Sequence, residues 1–201
     1  MRMIWSVGFL ITGLVLLFYP QIEKEISDAK QKKLIEAFEQ LGNTSAHLET
    51  APVTEIQANQ AQDQMELLDG ARGVIRIPKI DLKLLIFEGS GEASLRKGIG
   101  MIEPEKEFGI NNVGLAGHRA IAHGRLFNRL DELAPNDEIE VKTKTGVYEF
   151  VIAQTFVVDR SEVGVLTDKK EPFLTLVTCT PIGKKNPTDR LIVQARLKSK
   201  G

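Results

Sequence analysis

One cysteine in 201 residues, Cys179, is the side chain best suited to covalent chemistry in this sequence. A thiol attacks carbonyls well only once ionised, so a catalytic cysteine needs a basic or cationic partner within reach. An unpaired cysteine is more often an inert, buried small hydrophobe, and its context decides between the two. Cys179 follows the apolar, β-rich run Phe173 to Thr178 and precedes Thr180-Pro181, where strand pairing must weaken because proline lacks a donor. That places the thiol at a strand end, where barrels open into pockets.

Three histidines could serve as partner: His47, His118 and His123. His47 stands in a polar spacer and His123 in a polar loop, where an imidazole is usually only solvated. His118 instead closes the apolar run Val113 to Gly117, again a strand end, and the glycine before it permits a tight turn or a close approach. Arg190 opens the run Leu191-Ile192-Val193. Its plain reading is a surface salt bridge with Asp189; its functional reading is a permanent charge that holds a substrate carbonyl or a developing oxyanion. A sulfur, an imidazole and a guanidinium at three strand ends are expected to meet at one barrel rim.

The elements that must position them read as mainly β. From Gly73 onward, short β-branched runs alternate with Gly, Pro, Asn and Asp, the pattern of a sandwich or barrel. Strands are predicted over 74–77, 82–87, 112–116, 138–142, 148–158, 173–178 and 191–197, with short surface helices over 93–97 and 126–133. The stretch 159–172 is the longest break between apolar runs, and such loops tend to carry binding function.

Ahead of this domain, residues 3–19 carry no charge and are just long enough to span a hydrocarbon core. With Arg2 before it and no small-x-small cleavage site after Tyr19, the segment reads as an uncleaved signal anchor whose N-terminus stays in the cytoplasm. The predicted organisation is an anchor over 1–20, a juxtamembrane amphipathic helix over 21–42, a spacer over 43–72 and the β domain over 73–201. An extracytoplasmic domain almost without cysteine suggests a Gram-positive surface.

With 26 basic and 27 acidic residues the net charge is -1, which argues against nucleic-acid binding. A lone cysteine excludes an intramolecular disulfide, and no Cys/His spacing suits structural zinc. Glu162, Asp168 and Glu171 fall short of a calcium cage, so no metal or other cofactor is expected.

The residues together resemble the sortase family of cysteine transpeptidases. Thr175-Leu176-Val177-Thr178-Cys179 matches its Thr-Leu-x-Thr-Cys signature, Leu115-Ala116-Gly117-His118 looks like its histidine motif, and Arg190-Leu-Ile-Val is similar to its arginine-led last strand. The resemblance covers roughly 73–197. It implies a closed eight-stranded barrel that cleaves a Leu-Pro-x-Thr-Gly-like sorting signal after threonine, holds a thioester on Cys179 and passes it to a cell-wall amine. His118 would be acid and base, Arg190 would steady the thioacyl oxygen or the signal backbone, and Ala116 and backbone groups near Thr178 would line the substrate groove. The Gly-His-Arg and Thr-Cys-Thr-Pro-Ile-Gly stretches look most like class D, implying a peptidoglycan stem-peptide acceptor and tolerance of alanine at the last signal position. An L,D-transpeptidase would want a Ser-x-Gly-Cys context that is missing at Cys179, and a tethered, non-catalytic barrel is the remaining alternative.

Overall fold

A turn that only certain residues can make opens the barrel. Pro78 begins a one-turn 3-10 helix, Pro78–Ile80, and Asp81 takes the left-handed conformation at φ 51°. The chain thereby reverses so that Ile77 pairs with Leu82. Proline presets φ, and aspartate tolerates the left-handed region better than most residues.

The computed structural model describes residues 29, 31–40, 65, 67–119, 126–184 and 186–201. The chain divides into two compact units, Met1–Leu48 and Glu49–Gly201. In the first, residues 31–40 are helical, with Ile35 and Phe38 buried and Lys32, Lys33 and Glu36 exposed, the amphipathic pattern expected there. The predicted membrane anchor and most of the spacer, except residues 65 and 67–72, lie outside the described residues. Among the described residues, no helix is long and apolar enough to cross a membrane.

The second unit is a closed eight-stranded barrel: β1 (Ala71–Ile77), β2 (Leu82–Phe87), β3 (Ile99–Met101), β4 (Asn112–Ala116), β5 (Glu138–Thr143), β6 (Gly146–Asp159), β7 (Phe173–Thr180) and β8 (Asp189–Lys200). The order around the barrel is β1-β2-β3-β4-β7-β8-β6-β5, with β5 closing onto β1. The β2–β3 and β4–β7 pairs are parallel. Period-2 alternation sends Leu115, Leu174, Leu176, Val193 and Phe150 into a common core with almost no exposure.

Two sequence expectations need correction. Strand β3 goes unpredicted because three residues with a central glycine give no alternation to detect; its neighbours β2 and β4 supply its pairing. The helix expected over 126–133 is instead a turn followed by the 3-10 segment Leu130–Glu132. Leu126 sits at φ 50° and bridges Arg119, a conformation that breaks any helix there. The apolar spacing that suggested a helix records burial: Phe127, Leu130 and Leu133 all belong to the barrel core.

Candidate active site

Strand pairing sets Cys179 between its two proposed partners. On one side, β7 and β8 run antiparallel with Cys179 directly opposite Arg190. On the other, β4 and β7 run parallel with Ala116 opposite Val177, and carrying that register two residues on sets His118 level with Cys179. Neighbouring strands lie about 4.8 Å apart, so in this register the backbone of Cys179 lies one strand-spacing from that of Arg190 and beside the extension of β4 that carries His118. Residues opposite one another in an antiparallel pair bring their Cβ atoms to about 5 Å.

The row lies on the outside of the barrel rather than in its mouth. Residues 113 and 115 of β4, 174 and 176 of β7, and 191 and 193 of β8 face the core. Alternation therefore turns Ala116, Val177, Cys179, Arg190 and Ile192 outward. Cys179, Ala116 and Arg190 are half-buried and His118 is exposed. Thr178, whose neighbouring backbone groups are expected to help line the groove, points its side chain inward and is 2% exposed, so it can offer a ligand only its main chain. A cavity of about 520 Å³, lined by Ala71, Lys106, Thr143 and Tyr148 among others, opens at the other end of the barrel, where β5 ends and β6 begins.

Local bonds fix the row. The Gly117 N–H donates to Val177 O at 3.1 Å, and Thr178 Oγ1 donates to Gly117 O at 2.7 Å, stitching β4 to β7 just short of His118. Gly117 is required by packing, since a Cβ there would lie 2.6 Å from Phe127 Cδ2. This is the close approach, not an unusual backbone angle, that its place before His118 suggested. Arg190 Nη1 donates to the carbonyls of Pro187 at 2.8 Å and Asp189 at 3.0 Å. The guanidinium is thus oriented by main chain and not by the Asp189 carboxylate, which accepts from Thr188. His47 and His123 lie outside the described residues.

A wall stands over the same face. The β6–β7 loop carries the 3-10 turn Val163–Leu166. Asn112 Nδ2 donates to Val165 O and Thr167 O, Gln194 Nε2 to Val165 O, and Lys106 Nζ to Leu166 O at 2.8 Å. Leu166 rests on Gly114, where a Cβ would come within 2.7 Å of its Cδ2. Asn112, Thr175 and Gln194 are buried beneath this loop and bonded to one another through Thr175 Oγ1. Sequence reading passed over these three. Their signal was available, however: a polar residue inside each of three apolar runs, on the same alternating face as Cys179 or Arg190.

Of the three acids considered as a cation cage, Asp168 is engaged by protein donors. It accepts from Asn112 N and Asn111 Nδ2 and pairs with Lys106. Asn112's N–H is the main reason its carboxyl titrates below the usual range, helped by Asn111 and Lys106 against the opposing effect of desolvation. Among the described residues no cluster of three or more His, Cys, Asp or Glu could hold a metal ion.

A closed mixed barrel with a Thr-Leu-x-Thr-Cys strand between a histidine-ended strand and an arginine-led strand defines a class of cysteine transpeptidases, and comparison with known proteins agrees. A sortase-domain family profile matches residues 75–198. Sortase A of Listeria monocytogenes is 28% identical over 184 residues, covering 87% of this chain and 82% of the relative. Sortase D of Bacillus subtilis is 32% identical over 115 residues, 55% of each chain. The solved sortase D5 transpeptidase of Clostridium perfringens superposes with a TM-score of 0.62 at 28% identity, covering 84% of this chain and 98% of that one. The chain belongs to the sortase family and is a cysteine transpeptidase.

Proposed function

We propose that Cys179 is the nucleophile, His118 the acid and base, and Arg190 the oxyanion donor of a two-step acyl transfer on a sorting signal of Leu-Pro-x-Thr-Gly type. The observation that carries this reading is the single row formed by three adjacent strands on one outer face. The thiolate attacks the threonine carbonyl carbon. Arg190 faces the oxygen that becomes negative, and protonated His118 gives its proton to the departing amine as the C–N bond breaks. A thioester remains. An incoming amine then loses a proton to His118 and attacks the thioester, and the sulfur departs as thiolate. General acid–base groups of this kind contribute about 10²- to 10⁴-fold, and one oxyanion donor about 10²- to 10³-fold.

The outward, half-buried Ala116 and Val177 near the loop that carries Val163–Leu166 suit an extended peptide with aliphatic side chains. The acceptor in this reading is a peptidoglycan stem-peptide amine and the subclass is D, as the Gly-His-Arg and Thr-Cys-Thr-Pro-Ile-Gly stretches suggest. Residues 1–20 anchor the enzyme with its N-terminus in the cytoplasm, residues 21–72 hold the barrel off the membrane, and the barrel works outside the cell.

The test is to incubate the full chain with peptides ending in Thr-Gly or Thr-Ala and measure intact mass. A thioester adduct on Cys179, released by hydroxylamine or diaminopimelate, is expected. Cys179→Ala abolishes the adduct, His118→Ala and Arg190→Ala each remove most turnover, and His123→Ala leaves it. Equal losses at His118 and His123, or full turnover without Cys179, would refute the assignment.

A further inference from the structure

We propose that Arg119 is a positioning residue that fixes His118 against Cys179, an inference that rests on the catalytic pair proposed above. Its side chain is only 6% exposed; Nη1 donates to Thr180 Oγ1 at 2.8 Å and Nη2 pairs with Asp131 Oδ1 at 2.8 Å. Nε is buried and meets no acceptor among the described residues, so the grip rests on those two bonds. A guanidinium withdrawn from water to this extent is held by its partners, and its rigid planar fork makes that hold directional.

The partners stand at informative places. One residue before His118, Gly117 is bonded to Val177 and to Thr178, the residue before Cys179. One residue after His118, Arg119 is bonded to Thr180, the residue after Cys179. Histidine and cysteine therefore sit between the same two cross-links, one below and one above. Asp131 adds a third anchor, because it belongs to the segment Leu130–Glu132 whose Leu130 is in the barrel core. The Phe127 N–H, from the same plugging segment, donates to the His118 carbonyl at 3.1 Å.

His118 itself is exposed and lies two residues beyond Ala116, the last residue of β4, so strand pairing alone does not hold it. Proton transfer needs hydrogen-bond reach, and a displacement of about 1 Å can cost about 10²-fold in rate. Arg119 supplies a restraint on the backbone one residue beyond His118.

The experiment compares Arg119→Ala, Arg119→Lys and Thr180→Val in the full chain, each alone and combined with His118→Ala, using a Leu-Pro-x-Thr-Gly peptide. The readouts are kcat, KM, the single-turnover acylation rate and the melting temperature. Arg119→Ala and Thr180→Val are expected to lower kcat and acylation by about 10²-fold while KM stays within about a factor of two. Arg119→Lys keeps the charge without the fork and falls between. In the His118→Ala background neither change costs anything further, since groups acting as a unit are not additive. Thr180→Val removes one oxygen at nearly constant shape and carries the test if Arg119→Ala does not fold. An unchanged kcat in Thr180→Val, or the same fractional losses with and without His118, overturns the proposal. If His118→Ala itself keeps full turnover, the His118 role fails and the clamp falls with it, a signature separate from failure of the clamp alone.

Discussion

A single buried hydroxyl shows how closely the site depends on individual atoms. Thr178 Oγ1 lies inside the barrel wall and donates to Gly117 O at 2.7 Å. Replacing it with valine preserves shape but leaves that carbonyl without its side-chain donor, a loss of about 1–3 kcal/mol. At about 2–4 °C per kcal/mol for a chain of this size, Thr178→Val should lower the melting temperature by several degrees in a thermal scan. An unchanged melting temperature would mean that the stitch adds nothing to the fold. At this scale Cys179, His118 and Arg190 were legible because each closes or opens an apolar run. Arg119 was not, because a charged residue entering a polar stretch reads as solvated. Its partner Thr180 is 61 residues away, and no local pattern announces that contact.

The β6–β7 loop was marked as a binding element from its length and composition alone, and it does stand over the outward face of β4, β7 and β8. What sequence could not give is how it is fastened. Lys106 is 13% exposed in its side chain and lies 2.9 Å from Glu103, 3.4 Å from Asp168 and 2.8 Å from Leu166 O. Burial pulls the Lys106 pKa down, but Glu103 and Asp168 outweigh it and the net shift is upward. Lys106→Met should therefore loosen the wall, raising KM for a sorting-signal peptide severalfold with a smaller change in kcat; a KM equal to wild type would show the latch to be idle. The pH window follows from the two shifts. The depressed Asp168 carboxyl adds stability present above its unfolded pKa of about 3.9 and lost as pH falls through its lower folded value. The raised Lys106 ammonium adds stability present below about 10.4 and lost as pH rises through its higher folded value. The Asn112 amide proton, bonded to Asp168, should accordingly titrate in an NMR series with a midpoint below about 3.9, and a midpoint above that would contradict the shift.

At the scale of the barrel, the core side chains and the proposed catalytic residues lie on opposite faces of the same strands. Short β-branched runs bounded by turn residues made seven strands readable; β3 and the segment around Phe127 escaped because their order comes from what packs on them. The closure order was beyond local reading as well, since β4 reaches β7 only by skipping two intervening strands. That parallel pair brings the end of β4, two residues before His118, alongside β7 two residues before Cys179, while the core side chains of the same strands face the other way. Phe150, fully buried on β6, does not pair with β7, the strand that carries Cys179. Phe150→Ala should empty part of the core and cost about 3–5 kcal/mol, which corresponds to roughly 6–20 °C in melting temperature. At 25 °C the molecules that remain folded should keep kcat and KM close to wild type, because the proposed catalytic residues lie on the outer face of strands whose register is set by main-chain bonds. A fall in kcat as large as that of His118→Ala, measured where circular dichroism shows the variant fully folded, would mean that core packing and the catalytic row are coupled after all.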